Sequence, residues 1–400
     1  MTKQNIYESV SVSIYIALFL GIFPTYFSKI GKRVILATNK WCSAIIFTYF
    51  VLFTTMVYMS TLAFNPITDG TLYNFNTLAK LLTLVVTLVG DLGTWALLIQ
   101  GYFHKHHVKN FFNTVATIDK TFTKIGHKIN HNFYTYLAIN LSGPALTVSN
   151  VVMQLWNMKR GKEKMDRLPP ILLFCHFYSF SLVHHGETLF VTCNVVLSKR
   201  FEAIGLILKK LGERSSLRDK ARITKEKKLA ISDLIKNSKP DDKVLDICIA
   251  CHDKLCDLHD VVNKVFGFLV IVGSLIQFNT VVFAFCYCYY SISIRPISTL
   301  GWFFWAVFRI YELTRKAISA HITTSEAQTI LHLVGKLMIH ADTHTEEKLK
   351  MFALQIKHRT RPLTALGLFP IDGTFAFTII GATTTYITII YQFQVNKLAC

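Results

Sequence analysis

The sequence predicts an all-α polytopic membrane protein with seven transmembrane helices, N-terminus cytoplasmic, C-terminus extracellular, and long cytoplasmic helix extensions. Three observations predict it. The 400 residues are 52% hydrophobic and only 17% charged, with mean hydropathy +0.38, where a soluble domain carries about 25% charged residues. Seven stretches approach or exceed the roughly 20 apolar residues that cross a bilayer. Basic residues alternate between connecting segments: 32 Lys and Arg fall in one alternating set, counted over 1–40, 102–131, 198–243 and 314–367, and 7 in the other. The positive-inside rule then fixes the orientation. One basic outer loop, Lys159–Lys164, dissents from that count.

Segment 1–40 is expected to be cytoplasmic. Its apolar stretch Val10–Phe27 is short and broken by Gly21 and Pro24, and Lys29, Lys32 and Arg33 follow it. No small-residue cleavage site accompanies it, so it reads as an amphipathic or re-entrant helix rather than a signal peptide. Residues 41–197 hold helices one to four, at Trp41–Phe64, Asn76–Gly101, Asn132–Trp156 and Pro169–Leu197. Residues 198–261 form a cytoplasmic loop and helices, an anchor for other protein, with Ala203–Leu211 and Lys243–Val265 helical. The run Arg218–Lys228 and the stretch from Lys236 to Pro240 mark its flexible loop. Residues 262–313 hold helices five and six, at Val262–Tyr290 and Pro296–Leu313. Residues 314–367 return to the cytoplasmic anchor, 368–393 is the seventh helix, and 394–400 an extracellular tail. Helices four, five and six are expected to continue into the cytoplasm.

The net charge of +19 belongs to these loops and not to a nucleic-acid interface; no nucleic acid is expected. Polybasic loops also suit anionic lipid headgroups. Nine cysteines, an odd number, imply no disulfide framework. The cluster Cys248, Cys251, Cys256 with His252 and His259, the pair His184-His185 with Glu187, and His340, Asp342 and His344 have ligand-type residues. They lie in helical settings without convergent partners, so no metal site and no cofactor are expected. No phosphate loop or nucleophile motif occurs, and the chain does not read as an enzyme. Lys80, Asp91 and Arg309 are charged residues within spans and are functional candidates by default.

The seventh helix carries the chemistry. Thr374, Thr378, Gly381, Thr385, Thr388 and Gln392 recur at steps of 4, 3, 4, 3 and 4. This heptad stripe is small and polar on a helix otherwise rich in Phe, Ile and Tyr. Two readings remain open. Small residues permit close helix packing. A stripe facing water around a symmetry axis also accounts for Gln392 and for the stripe's full length.

The last span also carries a resemblance. Residues 385–393, Thr-Tyr-Ile-Thr-Ile-Ile-Tyr-Gln-Phe, match the terminal signature of insect gustatory receptors, Thr-Tyr, five mostly hydrophobic residues, then Gln-Phe. Phe352–Ile356 and Ala365–Phe369 resemble the two halves of that family's seventh helix, with Leu366 where the family often has Cys. His252-x2-Leu255 and Asn263-x2-Phe266 resemble its entry to helix five. The resemblance implies a ligand-gated, poorly selective cation channel in the plasma membrane. It implies a homotetramer, or a hetero-oligomer with related receptors, with helix seven lining one pore. Thr385 and Thr388 would line it, and Gln392 and Phe393 would form the gate. It implies a small-molecule tastant, bound in each subunit among helices two to six. From depth and chemistry the candidates are Gln154, Trp156, His176, Tyr178, Gln277, Asn279, Tyr287, Trp302 and Trp305. Bitter compounds are the family's commonest assignment. A fructose-type sugar stays open, and Ile387 argues against glucose-type sugars, whose receptors commonly have an acidic residue there. Receptors that signal through a partner without conducting, and secondary transporters, are the alternatives. A transporter would carry internal repeats, and none is visible.

Overall fold

The computed structural model describes residues 6–30, 33–63, 77–130, 135–140, 170–223, 239–291, 296–339 and 341–398. The chain begins with helix α1 (Ile6–Leu20) and a hairpin of β1 (Tyr26–Ile30) and β2 (Arg33–Ala37). The strands are antiparallel, pairing Tyr26 with Ala37 and Ile30 with Arg33. Helices α2 (Lys40–Ala63) and α3 (Thr77–Lys124) follow. After a short helical piece at 135–140 come α4 (Pro170–Ile223), α5 (Lys239–Ser291), α6 (Pro296–Met338), α7 (Thr343–Arg359) and α8 (Gly373–Leu398).

Helix length matters here. At about 1.5 Å per residue, the 54 residues of α4 run to roughly 80 Å, against a hydrocarbon core of about 30 Å. α4, α5 and α6 therefore continue well beyond any membrane, as expected. So does α3, at 48 residues, which the sequence reading ended at Gly101. Among the described residues, three helices are long and apolar enough to cross a membrane: Lys40–Tyr58, Asp242–Cys286 and Gly373–Gln392. The third span, Asn132–Trp156, lies almost wholly outside the described residues, as does 224–238 of the predicted flexible loop. The run Arg218–Lys228, read as loop, is still helical through Ile223.

α4 is the central post. Every residue from Leu182 to Asn194 is buried, and α3, α5 and α6 all pack on it. A helix surrounded by protein has no polar face to keep wet. Its few polar side chains must instead find partners inside, which they do below.

The N-terminal segment differs from expectation in register and content. The helix is Ile6–Leu20 and not Val10–Phe27, because Gly21 turns the chain in the left-handed region (φ +72°). Ile6, Val10, Ile14 and Ala17 are buried while Tyr15 and Phe19 are exposed. Ser13 O accepts a 3.0 Å contact from the His185 ring of α4. The helix's carboxyl end is capped by tyrosines: Tyr178 Oη donates to Leu20 O at 3.0 Å, and Tyr49 Oη donates to Phe19 O. These carbonyls have no partner within the helix. The hairpin was not foreseen. Asn113 of α3 holds it, accepting from Leu36 N and donating to Leu36 O, both at 3.0 Å. Asn113 also accepts from Tyr7 Oη at 2.7 Å.

In the predicted cytoplasmic half, α7 docks on α6 and α5, burying Leu349, Phe352 and Ile356, all about 1% exposed, at helical spacing 3 and 4. Ion pairs flank that stripe. Lys348 reaches Asp246 at 3.3 Å and Asp242 at 3.5 Å, and Arg359 pairs with Asp257 and Asp253. Arg200 of α4 grips Asp119 of α3 with both arms, Nε to Oδ1 at 3.0 Å and Nη2 to Oδ2 at 2.7 Å.

Candidate functional site: helix α8 and the buried ionic centre behind it

α8 starts at a cap the sequence supplies. Asp372 Oδ1 accepts from Thr374 N at 2.9 Å and Phe375 N at 3.2 Å, satisfying two of the free amides of the first turn. One face of the helix then packs on α5 and α6. Phe375, Ala376 and Thr383 are buried there, and Ile379, Ile380 and Ile387 are half-buried. The heptad stripe lies elsewhere. Thr374, Thr378, Gly381, Thr385, Thr388 and Gln392 are all exposed on the isolated subunit. A Cβ at Gly381 would meet nothing, so this glycine does not serve packing inside the subunit. Phe393 lies within α8, and its side chain is outside the described residues.

The threonines present a definite chemistry. Thr378 donates to Thr374 O, Thr385 to Gly381 O and Thr388 to Thr384 O, at 2.8, 3.0 and 2.9 Å. Each hydroxyl proton is thus spent on the carbonyl one turn back, and the lone pairs are left outward. A row of uncharged acceptor oxygens suits cations better than anions.

Behind α8 lies a buried ionic centre that the sequence reading missed. Glu187 of α4 binds Lys316 of α6 through Oε1 and accepts from Gln277 Nε2 of α5 through Oε2, at 2.8 Å. Lys316 Nζ closes the triangle on Gln277 Oε1 at 2.9 Å. Glu187 fits because Gly273 faces it. A Cβ there would stand 2.0 Å from the carboxylate. One turn along, Glu312 accepts from Arg309 Nη1 at 2.6 Å and meets His184 Nδ1. The Arg309 guanidinium lies 4.4 Å from the Trp305 ring centroid and 4.7 Å from that of Phe180. Glu187, Glu312, Arg309 and Lys316 are at most 2% exposed. Buried charges persist only when paired, and each is.

The spacing held the signal. His184-x2-Glu187 and Arg309-x2-Glu312-x3-Lys316 each put polar groups on one helical face inside apolar sequence. From sequence the first reads as a metal motif, and of the second only Arg309 stands out, as a charge within a span.

The remaining candidates separate. Gln277 is spent on the ionic centre. Tyr178 caps α1 and stacks on Tyr49, with centroids 5.8 Å apart. Trp305 is buried against Arg309. Trp302 meets Phe283 edge to face at 5.3 Å. Asn279 donates to Leu275 O of its own helix at 2.9 Å. His176 and Tyr287 sit on α4 and α5, with side chains outside the described residues, and Gln154 and Trp156 lie outside them altogether. Lys80 likewise sits on α3 with its side chain outside the described residues, and Asp91 lies beside Ser179 of α4. A cavity of about 290 Å³ separates α5, α6 and α8, bordered by Gln277, Arg309, Thr384 and Thr388 among others.

An N-terminal helix folded into a bundle of overlong helices, with a polar-striped terminal helix held on only one face, defines a class: polytopic helical membrane proteins. The chain belongs to the 7tm chemosensory receptor family, whose model matches residues 10–397. It is similar to putative gustatory receptor 28b of Drosophila melanogaster, at 21% identity over 99% of this chain and 88% of that one. Putative gustatory receptor 28a of the same fly is 31% identical over 36% of this chain and 34% of its own length. Among solved structures, the insect olfactory receptor OR5 from Machilis hrabei superposes with TM-score 0.67 at 10% identity, covering 97% of this chain and 98% of that one. The same receptor in complex with eugenol gives 0.63 at 11% identity, covering 96% and 97%. The fold is thus the seven-transmembrane fold of insect chemosensory receptors. The resemblance read from the terminal signature holds for the whole chain, and the family is one of receptors and not of enzymes.

Proposed function

We propose that this protein is a tastant-gated, non-selective cation channel of the plasma membrane. Four subunits surround one pore lined by α8, with Thr385 and Thr388 along it and Gln392 and Phe393 at its gate. The observation that carries the reading is the polar stripe of α8, which is exposed over its full length on the isolated subunit. Polar groups facing hydrocarbon cost free energy, so a partner or water is needed there. One stripe per subunit around an axis provides water. A ring of Phe closes such a pore by dewetting, and a ring of Gln passes cations with little selection.

The ligand is a small organic molecule, a bitter compound on the family's balance, held within each subunit among helices two to six. A similar fold binding eugenol, as the Machilis hrabei receptor does, supports a small-molecule ligand. The alternative is a receptor of the same shape that signals without conducting.

The test is whole-cell recording from non-insect cells expressing the chain alone, during a panel of bitter compounds, sugars and amino acids. A reversible cation current whose threshold or permeation changes in Phe393→Ala supports the channel. Ligand-dependent signalling that is indifferent to Phe393→Ala and Gln392→Ala would sink it.

A further inference from the structure

We propose that the cavity between α5, α6 and α8 is a second ligand site, for a neutral apolar molecule with one hydrogen-bond acceptor. It is distinct from the pocket considered above. Of the residues expected to line that pocket whose side chains are described, Gln277 alone borders this cavity. At about 290 Å³ it exceeds the roughly 150 Å³ that suffices to hold benzene, and it approaches the lower end of natural ligand pockets, about 300 Å³.

Its walls are mainly apolar, aliphatic at Val281, Leu313, Ile380 and Ile387 and aromatic at Phe278 and Phe285. The polar groups on them are mostly spent. Gln277 is bound to Glu187 and Lys316. Thr383, Thr384 and Thr388 donate to Ile379, Ile380 and Thr384 carbonyls. Arg309 is the exception. It is 2% exposed, and its Nε is buried without a hydrogen-bond partner among the described residues. A buried N–H in that condition costs about 1 to 3 kcal/mol. Arg309 borders the cavity, and an occupant whose carbonyl or ether oxygen reaches that Nε would remove the cost.

The charge balance selects a neutral occupant. Arg309 already pairs with Glu312 through Nη1, so a carboxylate brought to Nε would face the Glu312 carboxylate at close range. The location gives the site its consequence. α8 forms one wall through Ile379, Ile380, Thr383, Thr384, Ile387 and Thr388. Thr388 also belongs to the exposed stripe, so an occupant braces α8 against α5 and α6.

The test uses the full-length protein in phosphatidylcholine nanodiscs, with camphor as probe and camphane, its hydrocarbon analogue, as control. Thermal unfolding is followed against concentration. Camphor is expected to raise the midpoint saturably, and camphane to need about ten-fold more, the equivalent of one hydrogen bond. Ile380→Trp fills the cavity from α8 and is expected to abolish the camphor shift. Should that variant not give monodisperse protein, Val281→Phe fills the same space from α5 and replaces it. An undiminished shift in the filled variant would place the ligand elsewhere and overturn the proposal. Equal potency of camphane would reduce the site to an apolar crevice for lipid chains, and absence of any saturable shift in the wild type would remove it. None of these outcomes depends on whether the protein conducts.

Discussion

Asn263 of α5 and Thr364, in the turn leading to α8, are joined by three hydrogen bonds: Thr364 N donates to Asn263 Oδ1 at 2.8 Å, Asn263 Nδ2 donates to Thr364 Oγ1 at 3.2 Å, and Thr364 Oγ1 donates to Asn263 Oδ1 at 3.4 Å. The turn that follows is tight. Leu366 and Gly367 both have positive φ, 53° and 79°, and Ala365 N donates to Phe369 O at 3.0 Å. Leu366 is bulky for that backbone region. Its amide also sits 2.9 Å from where a Cβ on Gly267 would stand. The turn is therefore pressed onto one turn of α5, and α8 begins five residues later at its Asp372 cap. Under the proposed channel this contact ties the chain entering α8 to α5, beside the direct packing of α8 on α5 and α6.

Asn263→Leu removes all three bonds and leaves the Thr364 amide unsatisfied. We expect a loss of about 1 to 3 kcal/mol, read as a lower unfolding midpoint of the solubilised protein, with Asn263→Asp in between because it keeps the acceptor. Gly267→Ala should be worse than either, since backbone and not a side chain must yield. An unchanged midpoint in Gly267→Ala would mean that the turn does not press on α5.

The Glu187–Lys316 pair predicts a non-additive pair of mutations. Lys316→Met alone leaves a buried carboxylate without its cation, a change that costs about 3 to 5 kcal/mol in proteins. Combining it with Glu187→Gln removes the orphan charge and should restore most of that loss. Folded yield by fluorescence-detected gel filtration reads both. A double variant as damaged as Lys316→Met would mean that lost packing, not the stranded charge, sets the cost.

Much of this fold was legible in residues alone, and the reasons differ by element. The seven spans and the stripe of α8 are periodic patterns of hydrophobicity, which a sequence displays directly. The terminal signature ending in Gln392 and Phe393 identified the family. The β1–β2 hairpin was hidden because its register is fixed by one distant side chain, Asn113, some 77 residues from Leu36. The ionic centre was hidden for a related reason. Glu187, Gln277, Lys316 and Gly273 come from three helices, and only the packing of α4, α5 and α6 brings them within hydrogen-bond reach. Tyr178 shows the converse: its aromatic chemistry was visible, but its bond to Leu20 O was not.

Arg200 and Asp119 predict that shape matters as well as charge. Arg200 is fully buried and uses two nitrogens on Asp119 and a third, Nη1, on Val196 O at 2.8 Å. Lysine has the charge but not the planar fork. Arg200→Lys should therefore lower the unfolding midpoint nearly as far as Arg200→Met. A lysine variant as stable as the wild type would show that the charge alone suffices.

His252 predicts an acid-sensitive anchor. It lies on α5 before the predicted span, in a stretch whose Asp246, Asp253 and Asp257 pair with α7 or solvent. Its ring stands between Phe201 and Phe352, at 5.8 and 5.4 Å. Burial, with a smaller contribution from Arg359, pushes its pKa down from 6.5 to about 4. The unfolded chain takes up that proton below pH 6.5, while the folded one refuses it until about pH 4. Stability is therefore full above about pH 6.5 and falls as pH drops through that window, by about 3 kcal/mol for this residue. His259, also lowered to about 4, adds to the slope. His252→Phe should flatten the decline in unfolding midpoint between pH 6.5 and 4, and an unaltered slope would assign the acid sensitivity to other groups.

The direction that α8 faces can be read without any ligand. Single cysteines at Thr385, Thr388 and Thr383 would be treated, in intact membranes, with a charged, membrane-impermeant thiol reagent carrying a mass tag. Six of the seven described native cysteines are buried and the seventh, Cys288, is half-buried; Cys175 and Cys400, whose side chains are outside the described residues, are replaced by serine in the background. Thr385 and Thr388 are exposed on the subunit, whereas Thr383 is about 6% exposed and faces the bundle. A water-filled axis exposes the first two to reagent and shields the third. A stripe turned to lipid leaves all three unlabelled, because a charged reagent does not enter hydrocarbon. Close packing between subunits likewise protects all three, and chemical cross-linking between 385 and its own copy in a neighbouring subunit then separates packing from lipid. Labelling of 385 and 388 with 383 protected is the outcome the pore requires. Reactivity that rises when a tastant is added would tie that axis to gating.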